Sequence, residues 1–386
     1  MPEQSFADLG VSAPVVAALA ASGVHAPFPI QSLVIPDVLA GRDVLAQSPT
    51  GSGKTLAFAL PLIERLGEPR DGGPRALVLV PTRELAGQVA AETALAGAPK
   101  RLRVAAVYGG RPLARQAREA ARADLVVATP GRLDDLLTRR LLELRGVQSL
   151  VLDEADRMLD MGFKPQVERI LRRMPGPRQT LLFSATLEGE VARLAADYTR
   201  APRRHVAAPD ADRGGSIEHR FLPVATEDRV DALFTALAEE RDLALVFVRT
   251  KHGADRLTRR LGAHGLASAA LHGNKSQSAR ERALAGFGSG RLDTLVATDI
   301  AARGLDVDGI SHVINFDPPA DQDTYVHRIG RTGRAGRGGI GITFVAPQQE
   351  DDMRRMAAGL ELGEAFARGG FRERGRRAPS GTRGAR

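Results

Sequence analysis

Short apolar runs, several of them rich in Val and Leu, punctuate the chain at regular intervals and are separated by longer stretches with helical spacing. The first part contains Asp43–Ala46, Ala76–Val80, Arg103–Val107, Asp124–Ala128, Ser149–Leu152 and Thr180–Phe183. Fully apolar strands alternating with helices predict a parallel sheet covered on both faces. From Pro202 to Ser216 the alternation pauses in a polar stretch carrying Pro202, Pro209, Gly214 and Gly215, which reads as a linker. A second series lies at Leu243–Val248, Ala267–Leu271, Thr294–Ala297, His312–Phe316 and Gly341–Val345, predicting a second α/β domain. Before the first run, Val15–Ala21 is an Ala-rich amphipathic stretch, and Pro27, Pro29 and Pro36 punctuate the segment between it and that run. Past about Gly363 periodicity is lost in Arg and Gly, which reads as a disordered tail. The expected division is a first domain over 1–205, a linker over 206–216, a second domain over 217–362 and a tail over 363–386.

Composition sharpens this reading. Of 386 residues 43% are hydrophobic, enough for sizeable cores, and no apolar run approaches the roughly 20 residues of a membrane span. Met1–Ser5 lacks a basic stretch followed by an apolar one, so no secretory signal is expected. The chain has no cysteine, which excludes disulfides and thiolate metal sites and fits a cytoplasmic protein. The net charge of +8 points to an anionic partner, but it is unevenly placed. Seven arginines against one acid, Glu373, fall between Arg368 and Arg386, so the tail carries +6 and the rest about +2.

Candidate chemistry lies where strands end. Ser48-Pro49-Thr50-Gly51-Ser52-Gly53-Lys54-Thr55 joins an apolar strand to a helix, the arrangement of a phosphate-binding loop. Glycines let backbone N–H groups curl around phosphate oxygens, and the helix N-terminus adds unpaired donors. Lys54 can reach the β- and γ-phosphates, and the Thr55 hydroxyl can ligate Mg²⁺. Ser48 stands where the usual first glycine would be. After Leu150-Val151-Leu152 comes Asp153-Glu154-Ala155-Asp156. Asp153 at a strand end can hold the Mg²⁺ that bridges ATP phosphates, and Glu154 can orient or deprotonate the attacking water. Other strands run into Pro81-Thr82-Arg83-Glu84, Thr129-Pro130-Gly131-Arg132, Ser184-Ala185-Thr186 and Thr298-Asp299. Ligands bind at this carboxyl edge in open α/β sheets.

These motifs, together with Gly109-Gly110, Gln277 with Arg280, and His327-Arg328-Ile329-Gly330-Arg331-Thr332-Gly333-Arg334, resemble the DEAD-box family of ATP-dependent RNA helicases from Phe6 to about Val345. The resemblance implies two tandem RecA-like P-loop domains joined by a flexible linker. It places Gln31 of Pro29-Ile30-Gln31 on the adenine edge, where an amide can both donate and accept. It places Phe6 against the base, within a nucleotide-recognition segment over 6–31, and Asp306 on the ribose. Two departures stand nearby: Val24 where the family usually has Phe, and Phe28 where it often has Thr. Arg331 and Arg334 match the family's arginine fingers, which neutralise charge on the transferring phosphoryl group. Ser184, Thr186 and His327 match residues that couple the nucleotide site to domain closure.

The resemblance implies RNA contacts from Thr82, Arg83, Gly110, Thr129 and Arg132 in the first domain. In the second they come from Arg249, Thr250, Gln277, Arg280, Thr298 and Arg303. Arginines, hydroxyls and glycine backbone suit phosphate contacts, which position without reading sequence. Aromatics are scarce at 4%, so a sequence-indifferent backbone grip is expected. Three activities fit this inventory: an ATP-dependent RNA helicase separating short duplexes, a translocase on DNA, and an ATP-locked RNA clamp. The four-residue Asp153–Asp156 run, Gln31 and the Ser-Ala-Thr motif favour RNA, and the intact Glu154, Arg331 and Arg334 favour turnover. Resemblance to bacterial members makes ribosomal precursors or RNA-decay proteins the expected partners, with ATP and Mg²⁺ as cofactors and no membrane.

Overall fold

The computed structural model describes residues 4–48, 52–207, 215–302, 307, 309–333 and 337–371. The chain divides into two compact units, the main division falling at 214/215. The first opens with α1 (Ala13–Ala21) and α2 (Pro29–Leu39), then β1 (Val44–Gln47) and α3 (Lys54–Leu66). It continues through β2 (Ala76–Leu79), α4 (Arg83–Gly97), β3 (Val104–Val107), α5 (Leu113–Ala121), β4 (Leu125–Ala128) and α6 (Pro130–Thr138). It closes with β5 (Ser149–Leu152), α7 (Ala155–Asp160), α8 (Lys164–Arg172), β6 (Gln179–Ser184), α9 (Gly189–Tyr198) and β7 (Arg203–Val206). Its strands form one parallel sheet in the order β3-β4-β2-β5-β6-β1-β7.

The alternation along β2 shows why the apolar runs are unbroken. Ala76 and Val78 face one core, with Ile35, Phe58 and Phe183, while Leu77 and Leu79 face another, with Leu133, Met158 and Ile170. Both faces are covered, so both sets of side chains are apolar.

The second unit contains β8 (Ile217–Pro223), α10 (Arg229–Leu237), β9 (Leu243–Phe247), α11 (Lys251–Ala263) and β10 (Ser268–Leu271). Next come α12 (Gln277–Gly288), β11 (Thr294–Ala297), α13 (Asp299–Ala302), β12 (Ile310–Asn315) and α14 (Gln322–Ile329). The last elements are β13 (Gly339–Val345), α15 (Glu350–Gly359) and α16 (Gly363–Arg368). This sheet is also parallel, in the order β10-β11-β9-β12-β13-β8.

Two strands escape the apolar-run reading. Residues 203–206, within the stretch from Pro202 to Ser216 that reads as a linker, form β7 and pair in register with β1 from Val44↔Arg203 to Gln47↔Val206. As an edge strand largely open to solvent, β7 needs only its backbone to pair, and its Arg203-Arg204-His205 sequence carries no apolar signal. Likewise β8 is mostly half-exposed and, among the described residues, pairs with β13 alone. The folded body also extends past 362. Phe366 of α16 packs on Phe221 of β8 with ring centroids 5.3 Å apart, and Phe371 stacks on Phe366 at 4.2 Å. The arginines from Arg372 on lie outside the described residues. Among the described residues no helix is long and apolar enough to cross a membrane.

Candidate active site

The end of the phosphate loop is set by Gly53, the N-cap of α3, at φ +81°. A Cβ there would meet the Gln31 amide nitrogen at 2.6 Å and the Phe28 ring at 2.9 Å, so both the backbone conformation and the close approach require glycine. Gln31 is fully buried; its Oε1 accepts from the Phe28 N–H at 2.8 Å and its Nε2 donates to the Gly53 carbonyl at 2.9 Å. One lone pair and one N–H remain for a base edge. Lys54 begins α3, is buried, and donates from Nζ to the Ser48 carbonyl at 3.2 Å. The Ser52 hydroxyl donates to that of Ser48 at 3.0 Å, so the serine in place of the usual glycine braces the loop. Thr55 is the second residue of α3. Thr50 and Gly51 lie outside the described residues.

Phe6 packs inside the first unit. Its ring is 1% exposed and sits among the apolar residues of the first core, because a phenyl group gains more from full burial than from one wet face. Phe28, which is only partly buried, is the aromatic ring that stands against the loop.

Asp153 follows β5 and is held by its N–H donating to the Leu79 carbonyl at 2.9 Å. Burial pushes its carboxyl up to about 7, Lys54 opposes that rise, and Glu154 and Asp156 reinforce it. Such a carboxylate is poised to gain a nearby cation. Glu154 has a left-handed backbone, φ 51°, unusual for a residue with a side chain, and its N–H donates to Asp153 Oδ1 at 3.0 Å. The side chain is 6% exposed, and Glu154 Oε2 is buried without a hydrogen-bond partner among the described residues. Asp156 accepts from the Ala185 N–H at 3.0 Å, tying the acidic run to the segment after β6. Ser184, at the end of β6, accepts at its carbonyl from the Ser48 N–H at 3.1 Å, and its Oγ from the Thr186 N–H at 3.3 Å. The expected coupling serine thus touches the phosphate loop through its backbone.

The first-domain RNA candidates share the carboxyl edge of β2, β3 and β4. Thr82 caps α4, accepting from the Leu85 N–H at 3.2 Å. Gly109 and Gly110 leave room for the Arg83 guanidinium, which a Cβ at either would meet at 2.8 or 2.9 Å. Thr129 precedes α6, and Arg132 donates to the Arg111 carbonyl at 2.8 Å.

In the second unit Thr250 caps α11, accepting from the Gly253 N–H at 2.9 Å, and the Arg249 N–H donates to Asp317 at 2.8 Å. Gln277 and Arg280 lie on the first turn of α12, and Thr298 directly follows β11. His327 is on α14, and Arg331 lies just beyond it with Nε donating to the His327 carbonyl at 3.3 Å. Arg303, Asp306 and Arg334 lie outside the described residues. Sequence pattern does not single out Arg328. Its guanidinium grips Asp299 at 2.5 and 2.8 Å, donates to Asn315 Oδ1 and the Asp317 carbonyl, and lies 4.9 Å from the Phe247 ring centre. It gathers β9, β12, α13 and α14 at one point. Its place between His327 and Gly330 in an Arg-rich motif hides it among neighbours assigned to phosphate.

The site also fits Mg²⁺. Among the described residues no cluster of three or more acids or histidines forms a closed cage. Asp153 beside Lys54, with the Thr55 hydroxyl, offers the sparse oxygen set that suits an ion shared with phosphates.

A family model described as DEAD/DEAH box helicase matches residues 28–194, and one described as helicase conserved C-terminal domain matches 227–336. The DEAD-box ATP-dependent RNA helicase CshA of Bacillus licheniformis is 42% identical over 352 residues, 91% of this chain and 72% of that protein. The Bacillus subtilis protein of that name is 41% identical, over 91% and 71%. The structure of S. cerevisiae Dbp5 bound to RNA and ADP BeF3 matches with a TM-score of 0.81 at 30% identity over 94% of both chains. The chain belongs to the DEAD-box family of ATP-dependent RNA helicases.

Proposed function

We propose that the protein couples RNA-stimulated ATP hydrolysis to closure of its two domains and so separates short RNA duplexes locally. The observation that carries this reading is Glu154: a buried carboxylate oxygen without a partner among the described residues, on a strained residue next to Asp153. An unpartnered buried carboxylate is poised to accept a proton from an attacking water. Gly53, Lys54 and the start of α3 hold the phosphates, with Thr50, Gly51 and Ser52 completing the loop. Gln31 recognises the adenine edge, and Asp306 the ribose. Thr55 and Asp153 hold Mg²⁺, which when bound neutralises charge on the phosphates.

Arg331 and Arg334 supply the second domain's positive charge to the reacting phosphate, so turnover waits on closure of a first domain ending at β7 and a second starting at β8. Ser184, Thr186 and His327 relay that closure. Thr82, Arg83, Gly110, Thr129, Arg132, Arg249, Thr250, Gln277, Arg280, Thr298 and Arg303 grip the RNA backbone without reading its sequence. The biological setting in this reading is ribosome assembly or RNA turnover in the cytoplasm.

Glu154→Gln tests the reading. The amide keeps the shape and cannot take the proton, so ATP and RNA should bind while hydrolysis falls at least roughly a hundredfold. The complex of ATP, RNA and variant should then be long-lived in a filter-binding chase. Hydrolysis at the wild-type rate would remove Glu154 from the role of base.

A further inference from the structure

The second unit repeats the first strand for strand. With β8 in the place of β1, the orders β3-β4-β2-β5-β6-β1 and β10-β11-β9-β12-β13-β8 coincide. The backbone ties coincide as well. The Asp153 N–H donates to the last residue of β2 and the Asp317 N–H to the last residue of β9. The Val80 N–H donates to the Ala128 carbonyl and the Val248 N–H to that of Ala297, both at 3.0 Å. The first residue of α3 is Lys54, and the first residue of α10 is Arg229. The place that holds Lys54 and Asp153 in the first unit therefore holds Arg229 and Asp317 in the second.

There the chemistry has changed. Arg229 Nη1 pairs with Asp317 Oδ1 at 2.9 Å and its Nη2 donates to Gln349 Oε1 at 2.6 Å, so its charge is satisfied within the fold. The connection from β8 to α10, Val224-Ala225-Thr226-Glu227-Asp228, has no glycine and carries two acids. A polyphosphate finds no glycine cradle there, with Arg229 already paired and Glu227 repelling it.

A cavity of about 350 Å³ remains over this place, within the range of ligand-binding clefts. Its wall is apolar where Val230, Val248, Leu257 and Phe316 line it, and Thr250, one of the expected RNA contacts, lines it as well. On its rim Arg256 and Arg260 rise from successive turns of α11, both exposed, their guanidiniums in no ion pair among the described residues. With Arg229 and Asp317 neutralising each other, two arginines face the single Glu227.

We propose that this cavity docks a short segment of a partner protein in which an apolar side chain is flanked by Asp or Glu. The apolar wall takes the side chain, and Arg256 and Arg260 take the carboxylates. A run of RNA phosphates is the poorer match: each apolar wall residue would go unused, and Glu227 would face the backbone.

The test uses the full-length protein. A random twelve-residue phage-displayed peptide library is panned in the presence of excess poly(U), and the consensus peptide is synthesised with a fluorescein label. Acidic–apolar peptides should be enriched. By anisotropy, the peptide should bind the double variant Arg256→Glu/Arg260→Glu at least tenfold more weakly. RNA-stimulated ATP hydrolysis and the thermal midpoint of that variant should stay near wild type, since both arginines are exposed. A library without an acidic–apolar consensus, or a consensus peptide that binds the variant equally, overturns the proposal. So does displacement of the peptide by poly(U) with weakened RNA binding in the variant, which assigns the cavity to RNA.

Discussion

Gln31 donates its side-chain amide to the carbonyl of Gly53 at 2.9 Å, fastening the nucleotide-recognition segment to the end of the phosphate loop across 22 positions of sequence. The loop and the expected base-reading group therefore move as one. Gly53→Ala tests this tie. The alanine would have to adopt a left-handed backbone, which costs about 1 kcal/mol, and its Cβ displaces Gln31 and Phe28. ATP affinity, measured with a fluorescent nucleotide, should fall more than tenfold while the thermal midpoint drops by only a few degrees. Unchanged affinity would show that the loop tolerates separation from Gln31.

Arg328 holds the second unit together more than its motif suggests. Its side chain is 4% exposed and its bonds reach Asp299, Asn315 and the Asp317 carbonyl. Removing one member of a buried charged network typically costs about 3–5 kcal/mol. Arg328→Ala should lower the second unit's stability by that order in urea unfolding. Arg328→Lys should recover little, because an ammonium cannot grip Asp299 with two parallel bonds. A stable alanine variant would contradict the structural role.

The Arg-rich end separates into two parts. Phe366 and Phe371 pack against the β8 side of the second sheet, whereas the basic excess falls mostly after 371. Deleting 372–386 should weaken RNA binding and flatten the slope of log affinity against log salt, because fewer counterions are released. Its thermal midpoint should not move. Deleting 363–386 should also destabilise the fold. Equal stability of the two truncations would show that α16 is dispensable.

Asp124 predicts the response to acid. Burial alone would raise its carboxyl, but hydrogen bonds from Arg103, from the N–H groups of Arg70 and Arg103, and from Arg75 outweigh it and bring it to about 2. A carboxylate depressed in the folded state contributes stability above its unfolded value near 3.9 and loses it as pH falls toward 2. The loss over that window is about 2 kcal/mol. Asp124→Asn should be less stable at pH 7 and should lack this part of the acid dependence. Parallel acid profiles for the two proteins would refute the assignment.

What the sequence determined by itself was local. The phosphate loop is legible because strand, glycine turn, Lys54 and helix are contiguous, and Asp153-Glu154 because it directly follows an apolar strand. The central strands show because burial on both faces demands unbroken apolar runs. The edge strands β7 and β8 do not, because a half-exposed strand pairs through backbone that any side chain can carry. Only the tertiary structure decided that Phe6 is core while Phe28 stands at the loop, and that Arg328 is a structural hub. Only it sets Arg229 beside Asp317, 88 positions apart, on the ground that Lys54 and Asp153 occupy in the first unit. Which polar groups meet is fixed by the register of a parallel sheet, whose neighbours are far apart in the chain, and short-range pattern carries no record of that register.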